Sequence, residues 1–550
     1  MKNIQTLLQI PIAGFIILLA TPTVFAANTA IAANGVKNAA SYADPALPHG
    51  AIAQGSIFNV FGSNLGPASL AFASSLPLPG TLSGTQVSVT VNGSTVQCFM
   101  IYTSEGQVAA ILPSTTPAGT GTITVSYNGA PSATAPIKVV PSSFGIFTIN
   151  QQGGGQAVVQ DANYKFNATD FAFQPGETVV LWGTGLGPIS SSDANTPPTG
   201  NIPGINVTVS VGGQPATVTY AGRSGFAGDD QVAFTIPAGV TGCNVPLGVS
   251  VSAANGSNTV VSNFTTIAVG SSTTCSSPGL PPSFLQALAS GGTVRIGSLV
   301  LARATILSPL SPTPITADAG TGGFTRLSSL GYGQGLDLNY GACAIEPSIP
   351  KSTVTQTQLD AGPVINVSGP KGPKQLVLLR GAVGSFYTSL GGGVQLPGQA
   401  AQPLYLDPGS YSVDNGSGGK DVGSFKFNLT VPPPLTWTNF TSNNTISRST
   451  PLTVNWTGGD PNLDVILSGS SGVNATAQVS FICRARVSDG SITVPVSILQ
   501  ALPVSATVSG VPVGGLGLST GDPGQSSTPS GLDLFSTAFS QQITKSVAFQ

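Results

Sequence analysis

Charge is what this sequence has least of. Asp, Glu, Lys and Arg make up 7% of its 550 residues, against about 25% in ordinary soluble domains. The 18 basic and 20 acidic side chains nearly cancel, and no basic run is present to neutralise a phosphate backbone, which argues against nucleic-acid binding. Histidine occurs once, at His49. A Ser-His-Asp or Cys-His arrangement would therefore have to use a residue that sits in a Pro-flanked lead-in, outside any core. One histidine and five scattered cysteines, Cys98, Cys243, Cys275, Cys343 and Cys483, leave no zinc or copper spacing. Glutamate occurs only at Glu105, Glu177 and Glu346, and seven of the seventeen aspartates stand beside Gly, Pro or Asn, where they usually form turns. Little remains from which to assemble the paired carboxyls of a glycosidase.

Long apolar runs are also scarce. The one such stretch is near the start, where Lys2 is followed by an apolar segment over 7–20 and small residues at Val24 and Ala26. This pattern predicts a secretory signal peptide over 1–26, with an uncleaved anchor as the alternative reading. The apolar segment is shorter than the ~20 residues of a membrane span, and no later segment is apolar enough to cross a bilayer. The mature chain is thus expected outside the cell or at its surface. That compartment permits disulfides, and Cys243 with Cys275 is the favoured pair; Cys343 with Cys483 is a further pairing, and Cys98 reads as a small buried hydrophobe.

The chain is rich in glycine (70) and proline (44), spread between β-branched runs without a Gly-X-Y period. Many short strands joined by turns fit that texture. The strongest internal signal is a duplication. The segments 52–67, IAQGSIFNVFGSNLGP, and 173–188, FQPGETVVLWGTGLGP, share a layout. Gly55 and Gly176, Gly62 and Gly183, Leu65 and Leu186, Pro67 and Pro188 are all separated by 121. Further on, QVSVTVN over 86–92 alternates Val87, Val89 and Val91 with small polar residues and meets Asn92-Gly93, a hairpin signal. VTVSV over 207–211 meets Gly212-Gly213 in the same way. The offset grows from 120 to 124 between the return strands, which places an insertion in the loop 221–230, AGRSGFAGDD.

The ordered set NAASY, IAQGS, FGSNLGP, the VTVNG hairpin, PSSFGIFT, WGTGLGP, YAGRSGFAGDDQV and VSNFTTIAV resembles a family of uncharacterised secreted acidobacterial proteins. These look like tandem immunoglobulin-like sandwiches related to IPT/TIG modules. The resemblance covers about 38–269 and implies fold and export but no activity or catalytic residues. Gln107 is followed here by Val108-Ala109, where the family usually has Ile-Asn.

The expected architecture is therefore all-β: tandem immunoglobulin-like β-sandwiches followed by two further β-rich domains. The expected divisions are a signal peptide (1–26), a lead-in (27–49), sandwich one (50–140), sandwich two (141–270) and a Ser/Pro linker (271–282). A third β-rich domain with a short helix over 283–289 fills 283–432, and a fourth sandwich-like domain 433–550, with Pro432-Pro433-Pro434 as a stiff hinge. The expected function is a secreted, non-enzymatic structural or adhesive protein that meets an extracellular protein or polysaccharide through sandwich-end loops. Arg223, Phe226, Asp229 and Asp230 form the candidate binding loop. The alternatives are carbohydrate binding, with Trp437 as a stacking platform, and an extracellular hydrolase. No cofactor is expected, with Ca²⁺ at Asp229 and Asp230 as the exception to test.

Overall fold

In the segment Thr85–Val91 buried and half-exposed residues alternate without a break, the period of a strand with one face on a core. Its neighbour Gly119–Tyr127 pairs antiparallel to it, Val87 opposite Val125 and Val89 opposite Ile123. Asn92 and Gly93 adopt φ of 50° and 77°, the backbone a two-residue hairpin needs, and so return the chain into Ser94–Gln97. The computed structural model describes residues 28–257, 259–277, 280–289, 292–309, 313–328, 336–346, 356–379, 383–393, 402–442, 444–521 and 526–550. The signal-peptide expectation lies outside these residues.

Sandwich one packs the sheet of Ala30–Asn38, Ile57–Ser63, Gln107–Ile111, Phe99–Thr103 and Ala71–Phe72 on a second sheet built around Thr85–Val91, Gly119–Tyr127 and Ala135–Val140. Phe58, Val60 and Val108 from the first sheet meet Val87, Val89, Ile123 and Val139 from the second in one core. The lead-in expectation needs correcting here. Ala30–Asn38 pairs with Ile57–Ser63, because the first sheet would otherwise leave that strand's edge open.

Sandwich two repeats the plan. Thr178–Thr184 pairs with Asp230–Thr235 as Ile57–Ser63 does with Gln107–Ile111. The short parallel contact of Ile52 with Val139 recurs as Phe173 with Val269, again 121 apart for the first member. Gln214–Arg223 carries a bulge between Val218 and Tyr220 and runs from one sheet into the other, joining them. The 271–282 segment is tied to this sandwich: Cys275 is disulfide-bonded to Cys243 with Cα atoms 5.1 Å apart, and the Ala172 amide donates to the Thr273 carbonyl.

Beyond it, the helix Pro282–Ala289 covers a small cluster of Phe284, Val294, Leu327 and Leu534. The expected break at 432/433 is not a break in the sheet. Thr293–Leu307 lies parallel to Leu534–Ser546 over twelve residue pairs, from Ile296 opposite Leu534 to Leu307 opposite Lys545, so one 14-stranded sheet spans both segments. Two cores sit on it, one mainly within 299–431 and one mainly beyond 435. Cys343 stands opposite Cys483 and is bonded to it. The Pro432–434 run is not a free hinge either, since Leu435 exchanges both backbone bonds with the buried Gln541 amide. Residues 283–432 expressed alone are expected to lack a cooperative unfolding transition, and addition of 433–550 in the same chain should restore it; urea titration with far-ultraviolet dichroism checks this.

Candidate functional site

The duplicated glycine corner differs in what it binds. In sandwich one the amides of Gly62 and Leu65 donate to the carbonyls of Gly106 and Glu105. In sandwich two the amides of Gly185 and Leu186 donate to one oxygen of Asp230, at 2.7 and 2.8 Å. Two successive amides aimed at one carboxylate form an anion nest, here filled from the chain's own inserted loop. The other Asp230 oxygen accepts from the Arg223 guanidinium. Arg223 and Asp230 are 2% and 0% exposed, so the pair lies inside the protein.

Arg223 reaches out of its own sandwich. Its Nη2 donates to the Gly187 carbonyl at 2.9 Å and to the Gly55 carbonyl of sandwich one at 3.1 Å. Gly55 has φ of 73°, and a Cβ there would collide with the Arg223 guanidinium and Ser114 Oγ. The position thus demands glycine for both conformation and space. Asp193 closes the arrangement from the far side: its carboxylate accepts from the Ser114 amide (2.6 Å) and hydroxyl (2.9 Å) and stands 3.9 Å from Arg223. Asn38 adds bonds to the carbonyls of Ser143 and Thr184, and the Ile57 amide donates to Thr184 Oγ1. Together these groups lock the end of sandwich one to the glycine corner of sandwich two.

The candidate binding loop therefore divides. Arg223 and Asp230 belong to the buried junction, and only Phe226, 66% exposed, presents a side chain to solvent at the loop tip. Asp229 is half-buried and accepts from Ser224 Oγ at 2.8 Å; burial pushes its carboxyl up to about 7. Asp229 and Asp230 do not fit a calcium site. The Asp230 oxygens already face donors, the Arg223 cation lies against them, and no group of three or more His, Cys, Asp or Glu is gathered for a metal among the described residues. Asp193, Ser114 and Gly55 were not singled out for this role by sequence, because the positions lie far apart along the chain and Asp193 sits in an unremarkable Ser/Asp/Asn loop.

Trp437 is not a surface platform. It is 5% exposed, donates through its indole to Asn439, and lies under the Lys545 ammonium, 5.3 Å from the ring. That ammonium donates to the carbonyls of Phe440 and Ser442, and burial lowers its pKa to about 8. His49 is also placed differently from expectation. It lines a cleft of about 580 Å³ where both sandwiches and the carboxyl-terminal body meet, and burial lowers its pKa to about 4, so the ring is neutral at physiological pH.

A second cleft, of about 650 Å³, opens between the two sandwiches. Tyr42 and Tyr102 stand on one wall, and Phe147, Phe166 and Trp182 on the other. Tyr102 accepts from Gln107 Nε2 at 2.6 Å and donates to Asn59 at 3.2 Å, and burial raises its pKa to about 12. The Trp182 indole donates to Gln160 at 2.9 Å.

No protein-family model matches the chain, and no curated protein matches it. Among solved structures it is similar to the titin Ig tandem domains A164-A165, at 10% identity over 40% of this chain and 92% of that one, with a TM-score of 0.12. Domains 5-6 of the S-layer protein SbsC give 15% identity over 44% and 98%, with a TM-score of 0.16. A protein of unknown function from Bacteroides thetaiotaomicron gives 12% over 70% and 95%, with a TM-score of 0.15. With such low scores the assignment as tandem β-sandwiches stands on the strand pairing described above.

Removing Arg223 would leave Asp193 and Asp230 buried without their cation. Arg223→Ala is expected to cost about 3–5 kcal/mol, and Arg223→Lys to recover only part, since one ammonium replaces a forked donor; urea denaturation measures both. Asp229 adds a pH dependence of definite sign. Its folded pKa of about 7 exceeds the unfolded value of about 3.9, so the folded state holds the extra proton and stability falls as pH rises from about 4 to about 7. Asp229→Asn should flatten that decline, seen as a higher Tm than wild type at pH 8 and a smaller difference at pH 4.

Proposed function

We propose that the protein is an extracellular structural or adhesive protein whose units are held at fixed angles. The observation that carries this reading is the buried Arg223 clamp. A connector meant to swing would not bury a cation and two carboxylates across its joint, where every partial opening strands unpaired charge. The second sandwich is tied on its other side as well. Asp337 of the carboxyl-terminal body accepts from the Asn244 amide and Ser277 hydroxyl, both at 2.8 Å, next to the Cys243–Cys275 disulfide. Two disulfides suit an oxidising compartment. Among the described residues no helix is long and apolar enough to cross a membrane.

Attachment, on this reading, uses the exposed ends of the sandwiches, with Phe226 as the apolar tip of the inserted loop. Small-angle scattering should give wild-type protein a profile that fits one rigid shape, and Arg223→Ala a larger radius of gyration. Identical profiles would overturn the rigid-scaffold reading. Phe226→Ser should lower retention of the protein on cell-envelope fractions without changing its Tm; unchanged retention removes the loop tip from the contact surface.

A further inference from the structure

The cleft between the sandwiches has a composition that the clamp does not explain. One wall is the outward face of a sheet of sandwich one; the other joins Gln160 and Trp182, on strands of sandwich two, to the non-strand segments that carry Phe147 and Phe166. On Ile57–Ser63, Phe58 and Val60 enter the core of sandwich one, so Ile57 and Asn59 are turned to the opposite face and line the cleft. Strand Thr178–Thr184 likewise buries Val179 and Leu181 in sandwich two and presents Trp182 to the cleft. Outward sheet faces in water are normally polar. These walls carry aromatic rings on both sides of a gap, over a floor of Ala39, Ala40 and Ala109. Phe166 is 50% exposed at the rim, and Phe72, 62% exposed, lies 5.8 Å from the Tyr102 ring and extends that wall outward.

No lining residue of this cleft is charged. An anionic polymer, a nucleotide or a charged peptide would lose its hydration there without a countercharge. Strands Ile57–Ser63 and Thr178–Thr184 are already hydrogen-bonded to neighbours on each side, so neither offers an edge to an extended peptide. What the cleft does offer is aromatic side chains on both walls and side-chain amides beside them, half-exposed Gln160 within and Gln151 exposed, while the buried Asn59 amide is taken up in holding the two tyrosine hydroxyls. A pyranose ring matches that chemistry, with C–H faces for the rings and hydroxyls for the amides. The volume, about 650 Å³, lies within the ~300–1,000 Å³ usual for ligand sites.

We propose that the junction cleft walled by Tyr102, Phe166 and Trp182 binds a neutral polysaccharide chain. This deepens the adhesive reading above by naming the partner's chemical class. It also gives the clamp a second consequence, since the two aromatic walls belong to different sandwiches and face each other only while Arg223 holds the joint.

Trp437 and Trp456 are 5% and 3% exposed, so quenching of tryptophan emission by acrylamide reports mainly on Trp182. The test adds cellohexaose, xylohexaose or mannohexaose to the full chain, with hexagalacturonate as the anionic comparison. At least one neutral hexasaccharide should protect Trp182, with hexagalacturonate much weaker. Phe166→Ala, at an exposed position that leaves folding intact, should weaken that binding about tenfold, and Tyr387→Ala on the distant carboxyl-terminal sheet should not. Protection by none of the neutral sugars, equal protection by the anionic one, or no loss in Phe166→Ala overturns the proposal. Scattering of Arg223→Ala is read separately: if sugars fail to bind while that variant still loosens, the rigid-scaffold reading stands and only the cleft assignment falls.

Discussion

The bond between Arg223 and Asp230 is the constraint on which the arrangement of the two sandwiches depends. A guanidinium and a carboxylate moved out of water lose several kcal/mol each, and their mutual attraction offsets this only if the remaining donors and acceptors are met. Here most of them are. Asp230 receives two backbone amides besides the guanidinium, and Arg223 gives one nitrogen to Asp230 and the other to carbonyls on both sides of the joint. Its Nε alone has no partner. The pair therefore contributes less through its own attraction than through the penalty for any other arrangement. Sliding or opening the joint would expose a buried ion to a low-dielectric gap, which makes one relative placement of the sandwiches much more favourable than its neighbours.

The same device recurs where the fold is irregular. Asp318 pairs with Arg303 and accepts from the successive amides of Tyr405 and Leu406, pinning a loop to the long sheet. Asp161 accepts from the Asn163 and Lys165 amides and so closes its own turn. Asp337 ties the carboxyl-terminal body to sandwich two. A chain with few charges has placed several of them where non-strand backbone needs an acceptor, and left Ser, Thr, Asn and Gly to face water. Low charge in this protein thus reflects a surface that does not use ions and an interior that uses a few.

Duplication explains the contrast between the two glycine corners. Both copies turn the chain at matching glycines, and in the first copy the turn is satisfied by backbone carbonyls. The longer loop of the second copy, residues 224–229 between its strands against 104–106 in the first, lets a carboxylate reach back into the corner. By strand register Thr103, opposite Val108, matches Ala221, opposite Val232, so Arg223 stands two positions further on, where the second copy's strand continues to Asp230 and the first copy's has ended. The longer loop is thus what separates an interface in the second copy from a self-contained corner in the first. The cleft between the sandwiches followed from the same docking, because its two walls belong to different sandwiches.

What the amino-acid order determined by itself was local. Alternating Val87, Val89 and Val91 set which face of a strand is buried, Asn92-Gly93 set where it turns, and the constant offset of 121 set that the unit occurs twice. Each depends on residues close in the chain, where backbone sterics and burial period act directly. Tertiary structure decided the rest. Ala30–Asn38 became a sandwich strand because an open edge was available beside Ile57–Ser63. The 283–432 and 433–550 segments became one sheet because Thr293–Leu307 found its parallel partner more than two hundred positions later. Trp437 went inside because Lys545 and Asn439 supply partners there. Arg223 and Asp230, which read as an exposed loop, were buried because the glycine corner and Gly55 meet them only after the sandwiches dock. Contacts between distant segments carry no period in the sequence, so their energy, and with it the joint and its aromatic cleft, exists only in the assembled fold.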